Sequence, residues 1–172
     1  MINNKINKKS KSNIKTAIIT GASLGIGRAI ALSLAKKNIN IVVCARHKDN
    51  LNKLCKELED INANYLSVIT DVGDSKSVNN LFAVAIRKFG KVDIVINNAG
   101  SGFRKNCIDI KDKEFDSLMK TNFYGVFYVT KQALLHFNNI KANNIKTNNI
   151  IITVCSVASF FSIPKYSVYC AA

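Results

Sequence analysis

The chain has 172 residues, 48% of them hydrophobic and 21% charged, a balance that excludes a disordered chain and suits a single globular domain. No apolar run approaches the ~20 residues needed to cross a bilayer, and the Lys/Asn-rich stretch Met1–Lys15 lacks the apolar core of a secretory signal. The formal net charge of +14 rests on 21 Lys against only 4 Arg, scattered along the chain beside 22 Asn; this reads as compositional bias rather than as a phosphate-reading surface, where Arg is favoured.

Residues 1–14 are expected to form a basic flexible tail, with a nucleic-acid or acidic-surface arm as the alternative. From residue 15 onward, short apolar runs alternate with longer amphipathic ones. Lys15–Thr20 (KTAIIT) reads as a buried strand and Ile26–Lys37 as a helix with Ile30 and Leu34 on one face. Asn40–Ala45 is a second strand, and Lys48–Ile61 a helix with Leu51, Leu54, Leu58 and Ile61 at helical spacing. Asn64–Thr70 is a third strand, Ser75–Phe89 a helix and Val92–Asn97 a fourth strand. Asp112–Asn138 reads mostly as one long helix, Asn138–Asn148 as a polar loop and Asn149–Cys155 as a fifth strand. Near-continuous apolar strands between amphipathic helices predict an α/β fold, a doubly wound parallel sheet filling residues 15–172.

The five cysteines, Cys44, Cys55, Cys107, Cys155 and Cys170, are odd in number and contain no C-x-x-C pair. They read as reduced, buried thiols of a cytoplasmic protein. His47 and His136 have no ligand spacing to a cysteine, so no metal is expected.

Directly after the first strand stands Thr20-Gly21-Ala22-Ser23-Leu24-Gly25-Ile26-Gly27, and then the helix. Gly21 can turn tightly out of a strand. Gly25 lets backbone approach a pyrophosphate, Gly27 allows close helix–strand packing, and the helix N-terminus offers free N–H groups to an anion. The strand–turn–helix context separates this cluster from an ordinary turn. A second motif, Asn97-Asn98-Ala99-Gly100, closes the fourth strand about 70 residues later.

These two motifs resemble those of the short-chain dehydrogenase/reductase family, and the resemblance runs from Thr16 to Ala172. It implies a Rossmann-like sheet in strand order 3-2-1-4-5 and a nicotinamide cofactor. At the end of the second strand no carboxylate stands at Ala45, whereas Arg46 follows at once with a guanidinium suited to a 2′-phosphate, which favours NADP over NAD. Leu24 occupies the place where many NADP-dependent relatives carry a second basic residue. Asp71 and Val72 resemble the family's adenine-contacting pair, with helix capping as the plainer alternative. Asn98, Ala99 and Gly100 would lie beside the adenosine ribose.

The resemblance also implies a catalytic set. Asn122 matches the asparagine that holds a water in the proton relay, and Ser156 matches the serine that hydrogen-bonds the substrate oxygen. Tyr169 matches the acid/base tyrosine, which a lysine four residues on would share a helix face with and poise. The sequence stops at Ala172, one residue before that lysine; Lys165 could substitute only if its helix already began there, and Pro164 would more naturally start that helix. The expectation is therefore an oxidoreductase moving hydride between NADP(H) and a carbonyl or alcohol substrate, inactive in this truncated form. A dead nucleotide-binding remnant is the alternative, and a basic nucleic-acid-binding protein a more distant one. The family is often homo-oligomeric, but most of the tyrosine-bearing helix used for dimerisation is missing. Substrate-choosing segments would lie further on. The fifth strand, rich in Ile150, Ile151 and Ile152, would be a raw and aggregation-prone edge.

Overall fold

Strands and helices alternate along residues 14–143 and 148–172, the parts of the chain that the computed structural model describes. The expected tail therefore falls, except for Ile14, outside the described residues. The strands are β1 (Thr16–Thr20), β2 (Asn40–Ala45), β3 (Tyr65–Ile69), β4 (Ile94–Asn97) and β5 (Ile150–Thr153). The helices are α1 (Gly25–Ala35), α2 (Lys48–Asp60), α3 (Ser75–Phe89), α4 (Asp112–Met119), α5 (Gly125–Ala142) and the short α6 (Ser167–Ala171).

All five strands are parallel, in the order β3-β2-β1-β4-β5. Register places Ile18 of β1 beside Val42 of β2 and Val95 of β4. Alternate side chains along each strand point to opposite faces, and both faces are covered. Ile18, Val42 and Val95 pack with Val78, Leu81 and Phe82 of α3 and Val129 and Ala133 of α5. Ala17, Ile19, Ile41 and Val43 pack on the other face with Ala31 of α1 and Leu51, Leu54 and Leu58 of α2. The chain thus winds outward from β1 through β2 to β3, then returns to β4 on the opposite side. That reversal opens a crevice beyond the carboxyl ends of β1 and β4, the place where doubly wound sheets bind ligands.

Local chemistry sets the boundaries. Asp74 caps α3 by accepting from the N–H groups of Lys76 and Ser77 (3.0 and 3.3 Å). Gly90 ends that helix with φ +82°.

Four expectations need correction. The long helix is not continuous, because a five-residue π turn, Lys120–Tyr124, separates α4 from α5. Helix α5 runs on to Ala142, past the expected start of a loop at Asn138, because Phe137 and Ile140 keep the helical spacing and are buried; residues 144–147 of that stretch lie outside the described residues. Strand β5 stops at Thr153, which leaves Cys155 exposed; Cys107 is exposed as well, so of the five thiols Cys44 alone is fully buried. Finally, Pro164 does not start the tyrosine helix. It sits inside a turn closed by Tyr166 N–H on Ile163 O (3.0 Å), and the helix begins at Ser167. Strand β5 is an edge, with Ile150 and Ile152 exposed.

Candidate active site

The crevice is built from the ends of β1 and β4 locked together. Thr20, the last residue of β1, is buried and polar. Its hydroxyl donates to Ile96 O (3.3 Å) and accepts from the backbone N–H groups of Asn98 and Ala99, each at 3.0 Å. The Asn98 side-chain amide returns to β1 by donating to Thr20 O (3.0 Å) and Gly21 O (3.1 Å). Asn97, also buried, donates to Thr130 Oγ1 of α5 (3.0 Å) and Thr153 Oγ1 of β5 (3.4 Å), while its own Oδ1 finds no partner.

The glycine turn fits into this lock. Gly21 has φ +61°, and a Cβ there would come within 2.7 Å of Ala99 Cα. A Cβ on Gly27 would fall on the Asn98 amide nitrogen and lie 2.7 Å from Gly21 O. Gly25, at φ +55°, is the contrary case: a Cβ there would meet no atom within 4 Å. The first two glycines are therefore demanded by the protein's own packing, and the third opens onto free space. Helix α1 starts here with no side-chain cap and no acidic residue in its first turn, so its leading N–H groups and dipole remain available to an anion. Ser23 is half-buried, while Leu24 and Ile26, on either side of the exposed Gly25, are themselves exposed (59% and 62%), an unusual placement for large apolar side chains.

A cleft of about 640 Å³ runs from this lock along α5. Asn98, Ala99, Gly100, Asn122, Ser156 and Tyr169 all line it, so the structure brings the second motif and the three expected catalytic residues to one place. Asn122 lies in the π turn, a feature that often marks functional sites. Its Oδ1 accepts from Ser101 N–H and its Nδ2 donates to Ser101 O, both at 2.9 Å, which fixes the loop after β4. Ser156 Oγ accepts from Ala158 N–H (3.2 Å) in the turn after β5, leaving its hydroxyl proton free to donate. The Tyr169 ring lies against Gly102, where a Cβ would be 3.1 Å from the ring, and meets the Tyr166 ring edge-on at 5.9 Å between centroids. Lys165 lies outside α6 at φ +70°, and its carbonyl accepts from Lys105 N–H (2.9 Å), so it shares no helix face with Tyr169. The position four residues beyond Tyr169 lies past residue 172.

A second, smaller depression of about 270 Å³ lies at the ends of β2 and β3. Arg46 and Asp71 line it, both exposed, together with Lys113, Asp116, Ser117, Lys120 and Thr121. Asp71 Oδ1 accepts from Gly73 N–H (2.9 Å) and its backbone N–H donates to Ser77 Oγ (3.1 Å). The capping role belongs to Asp74. Val72 is buried against Gly125, where a Cβ would be 2.7 Å from its Cγ2.

Sequence reading missed Thr20 as the residue that joins the two motifs. The available signal was a hydroxyl ending an otherwise apolar buried strand. It also missed the helix α4 residues of the second depression, whose signal is polar side chains at helical spacing.

A family model described as short chain dehydrogenase matches residues 15–172. The chain belongs to the short chain dehydrogenase family. A versicolorin reductase of Emericella nidulans is 33% identical over 156 residues, covering 90% of this chain and 56% of the relative. A crystal structure of 3-ketoacyl-(acyl-carrier-protein) reductase from Brucella melitensis, complexed with NADH, superposes with TM-score 0.83 at 32% identity over 91% of this chain and 63% of that one. An actinorhodin polyketide ketoreductase with NADPH superposes with TM-score 0.85 at 28% identity, over 94% of this chain and 60% of that one. The chain thus spans little more than half the length of the versicolorin reductase. The glycine turn, the second motif and the five-stranded parallel sheet all lie within the residues that the short chain dehydrogenase model matches. Among the described residues no helix is long and apolar enough to cross a membrane, and no cluster of three or more His, Cys, Asp or Glu could hold a metal.

Proposed function

We propose that this chain supplies the nucleotide-binding part of an oxidoreductase that moves a hydride between NADP(H) and a carbonyl or alcohol carbon, together with the serine and tyrosine that handle the substrate oxygen. The observation that carries this reading is the pair of clamped strand ends, where Asn98 holds Thr20 and Gly21 and leaves the left-handed Gly25 open to free space. The residues present fit a dinucleotide. Gly21, Ser23, Leu24, Gly25, Ile26 and Gly27 form the turn whose N–H groups would hold a pyrophosphate. Asp71 and Val72 would flank the adenine, Asn98, Ala99 and Gly100 the adenosine ribose, and Arg46 the 2′-phosphate. When bound, the nicotinamide supplies or accepts the hydride.

The chain's own residues would do the rest. Ser156 already receives one N–H, so its proton is free for a substrate oxygen. Tyr169, across the same cleft, would give or take the proton at that oxygen. Asn122 holds the loop at Ser101 and stands where a relay water would be bound. NADP(H) is favoured over NAD(H) because Arg46, not a carboxylate, follows β2; the two similar structures carry one cofactor each and so do not choose between them. A cytoplasmic setting accords with five unbridged cysteines.

The test is direct titration of the chain with NADPH and NADH, followed by intrinsic tyrosine fluorescence or equilibrium dialysis. NADPH is expected to bind more tightly. Gly25→Asp is expected to abolish both, because a carboxylate would sit against the pyrophosphate. Arg46→Ala is expected to weaken NADPH by about tenfold and leave NADH unchanged. Absence of binding by either nucleotide would overturn the proposal.

A further inference from the structure

Helix α4 and the first residue of the π turn present a polar face to the second depression. Lys113, Asp116, Ser117 and Lys120 fall at i, i+3, i+4 and i+7, one continuous stripe. Every member of the stripe is polar and exposed. The stripe does not simply face open water. All four residues line the same 270 Å³ depression as Arg46 and Asp71. Lys120 is held against the far wall: a Cβ on Gly73 would lie 3.1 Å from both Lys120 Cβ and Lys120 O, so the loop after β3 and the start of the π turn are in contact.

Three cations therefore share one depression. Among the described residues the ion pairs are Arg28–Glu57, Lys91–Asp93 and Lys105–Glu114, and none of them includes Arg46, Lys113 or Lys120. Asp71 and Asp116 line the depression too, so the formal balance is three positive against two negative charges. Lys113 and Lys120 are about 10 Å apart along the helix axis, two turns, and their long side chains can both bend toward the middle of the stripe. A charge held there lies within a Debye length of about 8 Å of each at physiological ionic strength.

We propose that Lys113 and Lys120 complete, with Arg46, a cationic seat for a phosphate ester on the adenosine ribose, and that Asp116 between them weakens it. This rests on the NADP(H) reading above and adds two specificity-determining residues to it, from a stretch that sequence reading leaves outside the cofactor site. It also answers the absence of a basic residue at Leu24: the second and third cations come from α4 and the start of the π turn instead of the glycine turn.

Binding of NADPH, NADH, 2′,5′-ADP, 5′-AMP and inorganic phosphate to the chain, with Lys113→Met, Lys120→Met, Asp116→Asn and Arg46→Ala, tests it. Met keeps the length of each stem and, at position 120, the Cβ that faces the Gly73 loop. Each lysine variant is expected to weaken NADPH and 2′,5′-ADP by about fivefold and the double variant by more, with NADH and 5′-AMP unchanged. Asp116→Asn is expected to tighten NADPH. A wild-type chain that does not distinguish NADPH from NADH would overturn the cofactor reading and this inference with it. A wild type that does distinguish them, loses the distinction with Arg46→Ala and keeps it in both lysine variants would overturn this inference alone. So would equal weakening of 5′-AMP and 2′,5′-ADP, which would make the lysines supports for the adenosine wall. Competition by inorganic phosphate alone, with no preference for 2′,5′-ADP over 5′-AMP, would reduce the seat to a general anion site and likewise overturn it.

Discussion

The Asn98 amide occupies the space that a side chain on Gly27 would need, and from there it donates to Thr20 O and Gly21 O. One residue just past the end of the fourth strand thereby fixes the turn after the first. Gly27→Ala would push a methyl group onto that amide and onto Gly21 O, both part of rigid backbone-bound structure. The expected loss is about 1–3 kcal/mol in urea unfolding, together with loss of nucleotide binding. Gly25→Ala meets no atom, so its stability loss should be confined to the positive φ, about 1 kcal/mol, while nucleotide binding falls sharply. Equal unfolding midpoints for the two variants would show that Asn98 does not hold the turn.

Thr20 is the counterpart on β1. Its hydroxyl accepts two backbone N–H groups and donates to one carbonyl. Thr20→Val keeps the shape and leaves Asn98 and Ala99 N–H groups without an acceptor. A destabilisation of about 1–3 kcal/mol is expected, with weakened NADPH binding and an unchanged far-ultraviolet circular dichroism spectrum. A variant as stable as the parent would assign the strand-end lock to Asn98 alone.

What was legible in the sequence follows from which interactions are local. The apolar runs and the glycine turn with its helix start depend on neighbours a few residues apart, and they mark the strands; the strand order, and with it the crevice, follows only from the family resemblance. The π turn at Lys120–Tyr124 carries no local signal, because Asn122 leaves the regular helix to reach Ser101, 21 residues earlier. The polar tract after Asn138 hid the last turn of α5, whose reason is the burial of Ile140. Cys155 looked buried because its strand is apolar; β5 is an edge that ends two residues before it. The α4 stripe was readable as a helix face, but only the fold sets it opposite Arg46.

The five thiols should separate by burial. Cys44 lies wholly inside the sheet face covered by α3, and burial pushes its thiol up to about 12, against smaller opposing contributions from Thr70 and the Gly21 backbone. Cys107 and Cys155 are exposed. At pH 8 a maleimide should label Cys107 and Cys155 in the native chain and reach Cys44 only in denaturant, as read by peptide mass spectrometry. Native labelling of Cys44 at the rate of Cys107 would contradict the buried placement of β2.

The last prediction concerns acid. His136 of α5 is half-buried, and its Nε2 accepts from Val92 N–H (3.0 Å) just before β4. A backbone N–H can only donate, so this bond requires the neutral imidazole with its proton on Nδ1. Burial lowers the pKa from its ordinary 6.5, opposed in part by the charge of Asp93. Asp93 is itself tied down by Thr16 N–H (2.9 Å) and Lys91 Nζ (2.8 Å). Since the folded pKa is the lower one, the unfolded chain takes up this proton first as pH falls. The contribution of His136 is intact above pH 6.5, declines as pH drops below it, and levels off once the folded value is passed. Above about pH 5 most carboxylates are still ionised, so urea midpoints between pH 7.5 and pH 5 isolate the histidine. The parent chain should lose stability across that window. His136→Gln, whose amide oxygen can still accept from Val92, should lose less. An identical pH slope in the two proteins would place the sensitivity elsewhere.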